Sequence, residues 1–284
     1  MTEPTPRAAV VIPHHDDAAR LARCLDALMP QVPGDVEVVV VDNASPRAPR
    51  VAHSRARLVV EPAKGAAVAR NRGVAETTAP VLLFLDCDCV PDGDWLATAL
   101  AAARRADVVG GAVTLFDETP PPRSGAQAFE TVFAFDNRAY IERKGFSVTA
   151  NLVTRRAVFD ATGPFVPGLS EDLDWCRRAV ARGFALAYAP DLRVAHPTRA
   201  DWPALARKWR RLTDEGFAVN GRGAGARLRW AAKALAMPLS VAAHAPRVLR
   251  HPALSGAERM RALGTLARLR LARMRWMLGQ ALRG

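Results

Sequence analysis

The chain has 284 residues, half of them hydrophobic, and a formal net charge of +12. This length and composition allow one large domain, or one domain with a smaller appendage, and exclude an intrinsically disordered protein. Four cysteines provide neither the density of a disulfide scaffold nor a CxxC zinc pair, so we expect reduced thiols in a cytosolic setting. We expect no signal peptide and no membrane-spanning helix, because charges and prolines interrupt the best apolar segment, which begins at Trp230.

The positive charge is concentrated at one end of the chain. From Asp201 onward, 17 Lys and Arg oppose 4 Asp and Glu, whereas the preceding part is almost neutral. The composition also becomes rich in Arg and Ala after His196. We therefore predict an α/β domain over residues 1–199 and a basic helical extension over residues 200–284.

Short apolar runs alternate with helix-like segments in the first half of the chain. The runs lie at residues 8–13, 36–41, 56–61 and 81–85. Continuous apolar runs of this length are typical of parallel strands that are buried on both faces. We predict a helix between the first two runs and a second helix over residues 66–76, which together give a parallel sheet flanked by helices.

Polar residues follow three of these predicted strands. They are His14, His15 and Asp16 after the first, Asp42 and Asn43 after the second, and Asp86 and Asp88 after the fourth. In open α/β sheets, ligands bind in the crevice beyond the carboxyl ends of the strands. We therefore expect these side chains to line one crevice.

Asp86 and Asp88 are two apart, so in an extended segment both carboxylates project to the same side. Two hard oxygen donors suit Mg²⁺ or Mn²⁺, and such an ion usually completes its shell with phosphate oxygens and water. This pattern predicts a site for a nucleotide diphosphate. The alternative is a solvated turn, because Asp92 and Gly93 follow closely.

Further charged residues are candidates for the same crevice. Lys64, Arg70 and Arg72 lie at a helix start, where cations and amide dipoles hold a diphosphate, or they form a solvated basic face. Glu171 and Asp172 open a predicted helix that Ser170 caps, and they act either as helix-dipole partners or as a general base.

His196 ends a short predicted strand, LRVAH. An imidazole at a strand end is either a metal ligand or a histidine with an internal hydrogen-bond partner. Both readings stay open from the residue alone.

The ordered set of motifs resembles the family 2 glycosyltransferases of the GT-A fold. The resemblance covers about residues 8–196 in the order of the family, and its segments include AAVVIPHHD, VVVVDNAS, KGAAVARNRG, FLDCDCVPDGDW and SEDLDWCRRAVARGF. It implies a mixed central sheet flanked by helices, with a nucleotide-binding half at about residues 8–107 and an acceptor half at about residues 108–199.

The resemblance also implies an activity and roles for residues. A sugar would pass with inversion from a nucleotide-diphosphate sugar, with a UDP-sugar favoured, to the hydroxyl of a carbohydrate or lipid-linked acceptor, assisted by Mg²⁺ or Mn²⁺. Pro13, His14 and Asp42 would contact the nucleotide, with Asn43 and Lys64 beside them. Arg70 would lie near the diphosphate, Asp86 would contact ribose or metal, and Asp88 and His196 would bind metal. Asp172, paired with Glu171, would be the base.

The sequence departs from relatives at two places. The first strand ends in PHHD, where relatives commonly have an aromatic residue and Asn. The second ends in DNAS, where many relatives have two acids. These differences leave the identity of the donor nucleotide open. The Gln-x-x-Arg-Trp box of processive synthases is missing from RKWRRL, which favours a single addition in envelope, polysaccharide or glycolipid synthesis.

Three other functions compete with a transferase. A nucleotidyltransferase that makes nucleotide sugars would be expected to carry a Gly-rich signature after the first strand, which PHHDDAARLARC lacks. A protein whose basic tail binds nucleic acid would need an aromatic stacking platform, and the four tail tryptophans are scattered. A non-catalytic relative that binds an anionic ligand is disfavoured by the presence of both acid pairs.

The last 30 residues predict one long helix that begins with a capping box of Ser255 and Glu258. Its apolar residues follow 3/4 spacing between arginines, as in a helix that lies on an anionic membrane. We therefore expect a cytoplasmic protein held on the membrane surface. The alternative is a helix docked on the rest of the protein. The predicted stripe consists of Met260, Leu263, Ala267, Leu271, Met274, Leu278 and Leu282.

Overall fold

The structure is a computed structural model that describes residues 6–168, 170–221 and 223–283. It divides into two compact units. The first consists of Met1–Thr114 with Asp136–His196, and the second consists of Leu115–Phe135 with Pro197–Gly284. The prediction of domains at residues 1–199 and 200–284 stays a prediction.

Strands and helices alternate through the first half of the chain, as the apolar runs predict. In chain order the elements are β1 (Ala8–His14), α1 (Ala18–Leu28), a 3₁₀ turn (Met29–Gln31), β2 (Val36–Asp42), β3 (Ala56–Val60), α2 (Ala66–Ala75), β4 (Val81–Leu85), β5 (Val90–Pro91), α3 (Trp95–Ala102) and β6 (Val108–Phe116). The second half is mostly helical. It contains α4 (Gly125–Phe133), α5 (Asn137–Lys144), β7 (Asn151–Arg155), α6 (Arg156–Thr162), α7 (Glu171–Ala181), β8 (Leu186–Pro197), α8 (Trp202–Asn220), α9 (Ala224–Ala236), α10 (Ser240–Leu249) and α11 (Gly256–Arg283).

The strands form one mixed sheet with the order β3-β2-β1-β4-β7-β6-β8-β5. The first four strands in this order are parallel, whereas β7 is antiparallel to β4 and to β6, and β5 is antiparallel to β8. β1 pairs with β2 along its whole length, but with β4 only from Ala9 to Val11. The carboxyl end of β1 is therefore free of β4, which opens a cleft at this edge of the sheet.

The core of the first unit lies on both faces of the sheet, because successive strand residues point to opposite sides. Val10 and Ile12 pack with the buried leucines of α1, and Val11 packs with Phe84 on the other face. The close approach of α2 to the sheet depends on Gly73, where a β-carbon would lie 2.4 Å from a methyl group of Val11. All four cysteines are free.

The second unit is a helical assembly in which α11 is the central element. α11 contacts α4, α8, α9 and α10. Its capping box is present, with Ser255 N–H donating to Glu258 and Glu258 N–H donating to the Ser255 hydroxyl. Buried Glu130 of α4 accepts hydrogen bonds from Arg199 and Lys208, which supplies a charge partner for each of these groups.

The face that α11 buries differs from the stripe expected from the sequence. Its buried apolar residues are Ala262, Leu266, Leu269, Met277 and Ala281. Of the expected stripe, Leu263, Met274 and Leu278 pack against the cores of the second unit, whereas Met260, Leu271 and Leu282 are exposed. No helix in the described ranges is long and apolar enough to cross a membrane.

Candidate functional site

A cleft of about 300 Å³ lies beyond the carboxyl ends of β1, β2 and β4. This is the edge at which the sequence predicts a ligand site. The structure brings together there most of the predicted residues from four separate parts of the chain. The lining residues are Pro13, His14, His15, Asp17, Asn43, Ala66, Ala69, Arg70, Asp86, Cys87 and Asp88.

His14 and Asp42 form a buried pair at the ends of neighbouring strands. His14 Nδ1 lies 3.0 Å from Asp42 Oδ1, and Asp17 N–H donates to His14 Nε2 at 3.1 Å. Because Nε2 accepts a hydrogen bond, Nδ1 must carry the proton and donate it to Asp42. Both ring nitrogens are therefore used within the protein, so His14 offers a ligand its ring surface and holds Asp42 in place.

The loops after β1 and β2 are joined through Ser45. Its hydroxyl donates to Asp42 Oδ1 at 2.5 Å and accepts from Asp16 N–H at 2.8 Å. Asp16 and Ala44 adopt positive φ angles of 49° and 55°, a conformation that costs non-glycine residues free energy. Such strain persists only where surrounding bonds hold it, and it occurs here on both loops that border the cleft.

Asn43 fixes the loop that leads into α2. Its side-chain nitrogen donates to the carbonyl groups of Glu61 and Ala63, and its oxygen accepts from Gly65 N–H at 2.7 Å. The amide is therefore engaged on both sides, and its role is to position this loop. Lys64 lies in the loop and is exposed at the start of α2.

Asp88 and His196 approach each other because of the pairing of β5 with β8. Val90 is opposite Ala195 in this register, which brings the residues beside them together. Asp88 Oδ2 lies 3.3 Å from His196 Nε2, and the His196 side chain is almost fully buried. A carboxylate oxygen and an imidazole nitrogen at this spacing are two donors suited to a divalent cation.

Arg70 joins the acids after β4 to the acids of α7. Its guanidinium is 4% exposed and donates to Asp86 Oδ1 at 2.6 Å and to Glu171 Oε1 at 2.9 Å. These two partners are 85 residues apart in the chain, and each gains a charge-assisted hydrogen bond. The Nε atom of Arg70 is buried and has no partner within the described part of the chain.

Asp172 is held at the first turn of α7. Its Oδ1 accepts from Leu173 N–H at 2.7 Å and from the Ser170 hydroxyl at 3.1 Å. Burial raises the pKa of Asp172, and the neighbouring charge of Glu171 raises it further. Ser170 occupies the predicted capping position, but its hydroxyl bonds to Asp172 and not to the helix backbone.

His15, one of the polar residues that the sequence places after β1, lines the cleft, and its Nδ1 lies 2.8 Å from the carbonyl oxygen of Asn43. Asp17 and Cys87 also line the cleft, and the sequence did not indicate them. The only sequence signal was their position beside predicted strand ends. In contrast, Arg72 pairs with Glu76 on the exposed side of α2 and does not line the cleft.

A divalent cation fits the donor types present, with a small protein shell. No three His, Cys, Asp or Glu side chains converge as a metal cluster anywhere in residues 6–168, 170–221 and 223–283. The available donors are the Asp88–His196 pair and Asp86, whose side chain is 30% exposed while Arg70 engages one of its oxygens. A Mg²⁺-like ion commonly has one or two carboxylate ligands and takes its other ligands from substrate phosphates and water.

Comparisons with known proteins give a consistent result. The sequence model of glycosyl transferase family 2 matches residues 9–173. Glycosyltransferase AglE of Haloferax volcanii is 29% identical over 224 residues, which cover 74% of this chain and 73% of that protein. Pre-mycofactocin glycosyltransferase of Mycobacterium tuberculosis is 29% identical over 222 residues, which cover 70% of this chain but only 44% of that protein.

Two solved structures share the fold. One is the mannosyltransferase PcManGT from Pyrobaculum calidifontis in complex with GDP-Man and Mn²⁺. It matches with a TM-score of 0.52 at 18% identity, and the match covers 98% of this chain and 74% of PcManGT. The other is GalNAc-T7 with UDP, GalNAc and Mn²⁺, with a TM-score of 0.51 at 18% identity. That match covers 74% of this chain and 48% of GalNAc-T7. The expected GT-A fold is confirmed, and since the family match spans more than half of the sequence, the chain belongs to glycosyl transferase family 2.

Proposed function

We propose that this glycosyltransferase moves a sugar from a nucleotide-diphosphate sugar to an acceptor hydroxyl, with inversion at the anomeric carbon and with the help of a divalent cation. The observation that supports this most is the contact of Arg70 with both Asp86 and Glu171. It joins the acid pair beyond β4 to the acid pair at the start of α7. A donor diphosphate and a base for the acceptor are both needed at one reacting centre.

The nucleotide of the donor occupies the cleft beyond β1 and β2 in this proposal. Pro13 and the ring of His14 form one wall, and Asp42 is oriented by His14 and Ser45 toward this end of the sheet. Asn43 acts by holding the loop before α2. Lys64 and Arg70 supply positive charge near the diphosphate, where the leaving group gains negative charge.

Mg²⁺ or Mn²⁺ would be held by the Asp88–His196 pair, with Asp86 as a further carboxylate that Arg70 also engages. When bound, the ion would neutralise negative charge on the departing diphosphate. The two related solved structures contain Mn²⁺, one with GDP-Man and the other with UDP. Since this fold accommodates either nucleotide, a UDP-sugar is proposed as the first donor to test, with GDP-sugars beside it.

Asp172 is the proposed base, and Glu171 is its oriented neighbour. A carboxylate whose pKa is raised by burial takes a proton from a hydroxyl more readily than an ordinary aspartate does. Glu171 is fixed by Arg70, and Asp172 is fixed by Leu173 N–H and Ser170. Attack of the acceptor from the side of Asp172, opposite the diphosphate, gives inversion.

The acceptor is proposed to be a carbohydrate or a lipid-linked molecule that receives one sugar in envelope, polysaccharide or glycolipid synthesis. The absence of the processive box from the sequence supports a single addition. The acceptor half is expected within residues 108–199.

The reaction can be tested without knowing the acceptor, because water is a slow substitute for it. The protein is incubated with UDP-, GDP- and dTDP-sugars in the presence of Mn²⁺, and released nucleoside diphosphate is measured. Proton NMR records the anomer of the first free sugar formed. An α-linked donor is expected to give the β-sugar before mutarotation, and Asp172→Asn is expected to lower the rate by about 10²-fold or more.

Two results would contradict the proposal. Release of the α-sugar first would exclude inversion. Full activity of Asp172→Asn would exclude this residue as the base. Arg72→Gln is the matched control, because its partner Glu76 directly follows α2 and neither residue lines the cleft.

A further inference from the structure

Helix α9 and the turn after it present leucines to solvent. Leu228 and Leu235 of α9 are 73% and 63% exposed, with exposed Ala232 between them, and Leu239 in the turn before α10 is 76% exposed. The spacing of four and three residues places Leu228, Ala232 and Leu235 on one face of α9. The opposite face is the one that folds against the protein, since Trp230 and Ala234 pack with the end of α11.

Helix α10 also carries exposed apolar residues. Ala242, Pro246 and Leu249 are exposed at spacings of four and three residues, while Val248 is buried in the core of the second unit. Single exposed apolar residues are ordinary in soluble proteins, but repeated ones on two consecutive helices are a feature of interaction surfaces.

The charged residues of the segment that carries these helices are all positive. Between Glu215 and Glu258 the sequence contains six Lys and Arg and no Asp or Glu. Arg229 and Lys233 of α9 and Arg250 after α10 are exposed, and no acid within the described residues forms an ion pair with them. Arg247 lies over the ring of Phe133 and remains exposed.

We propose that α9 and its turn into α10 lie on the surface of an anionic phospholipid bilayer. Leucines of such a surface enter the boundary between head groups and acyl chains, while the neighbouring Arg and Lys reach phosphate groups. At 13 and 10 residues, α9 and α10 are too short to cross a bilayer of about 30 Å, so they lie along it.

Charge argues against the other occupants of this surface. A second copy of the chain bound through the same face would bring cations against cations, which disfavours self-association. A nucleic acid would satisfy the cations but would leave the leucines in water. An anionic bilayer satisfies both.

The proposal changes the location of the expected membrane contact. The sequence favoured α11, but most of the apolar residues of α11 pack inside the second unit. It is independent of the sugar donor, so a failure here leaves the proposed reaction intact.

The test is co-sedimentation of the full chain with vesicles of phosphatidylcholine alone and of phosphatidylcholine with phosphatidylglycerol in equal parts. The wild type is expected to bind the anionic vesicles and to be released by high salt. The double variant Leu228→Gln and Leu235→Gln is expected to bind at least about tenfold more weakly. Arg229→Gln with Lys233→Gln is expected to weaken binding by about tenfold as well.

Met260→Gln is the matched control, because Met260 is 64% exposed and lies between two arginines on α11. It is expected to bind as the wild type does. Thermal unfolding of each variant verifies folding, which exposed side chains should not affect. No wild-type binding to anionic vesicles at low salt, or equal loss in Met260→Gln, would overturn the proposal. A dimer in solution that Leu235→Gln dissociates would overturn it in favour of self-association.

Discussion

Replacement of Arg70 by methionine is the most informative perturbation of the site. Methionine retains much of the hydrocarbon of the side chain but removes the guanidinium that Asp86 and Glu171 share. Glu171 is 15% exposed and Asp86 is 30% exposed, so both carboxylates would remain close together, partly shielded from water and without their cation. The variant should therefore be less stable than the wild type.

The magnitude follows from the number and burial of the lost contacts. Removing one partner of a buried ion pair costs about 3–5 kcal/mol, and partial exposure of the two acids reduces the effect. We expect a loss of about 3 kcal/mol, which corresponds to a decrease in Tm of roughly 6–10 °C for a domain of this size. Arg72→Met is the matched control, because its pair with Glu76 lies at the surface, where solvent screening leaves an ion pair little effect on stability.

The assay is urea unfolding at neutral pH for wild type, Arg70→Met, Arg72→Met, and Arg70→Met combined with Glu171→Gln. The double variant should recover part of the loss, because it removes one of the uncompensated acids. If Arg70→Met and Arg72→Met are equally stable, or if the double variant is less stable than Arg70→Met, the ion network does not hold the two acid pairs together as we describe.

Three further predictions concern other parts of the chain. Asp172→Asn should unfold at a higher temperature than the wild type at neutral pH, because burial raises the pKa of Asp172 and ionisation then costs stability; the difference should vanish below about pH 4, where the acid is protonated in both states. Gly73→Ala should lower the free energy of unfolding by about 1–3 kcal/mol in a urea titration, since the added methyl group would meet Val11 at 2.4 Å; a neutral effect would contradict the tight packing of α2. Hydrogen bonds from the Ser255 and Arg123 backbones lower the pKa of Glu258 to about 2, so the stability advantage of wild type over Glu258→Gln should be present above about pH 4.5 and lost as the pH falls toward 2. A constant difference across that range would contradict the capping geometry.

Patterns of a few neighbouring residues were sufficient to predict the strands, the position of the site and the start of the last helix. Apolar runs predicted β1, β2 and β4 because strands buried on both faces need no alternation. The run at β3 was also correct, although this edge strand is only partly buried. The edge of the sheet that carries the site followed from the polar residues at strand ends. The Ser255 and Glu258 capping box was visible from spacing alone.

Contacts between distant parts of the chain had no local signal. Arg70 and Glu171 are 101 residues apart, and nothing near either residue indicates its partner. The approach of His196 to Asp88 depends on the register of β5 with β8. On α11, Ala, Leu and Met form several overlapping stripes, so the buried face is chosen by the packing of neighbouring helices and not by the helix itself.

The central claim is that the acids beyond β4 hold a divalent cation together with the diphosphate of a sugar donor. Calorimetric titration of UDP-, GDP- and dTDP-sugars into wild type and Asp88→Ala, each with and without Mn²⁺, tests it most directly. We predict that one nucleotide class binds the wild type only with Mn²⁺ and that Asp88→Ala loses this binding while remaining folded. Binding that is independent of Mn²⁺ and unchanged in Asp88→Ala, or no binding of any donor by folded wild type, would contradict the claim.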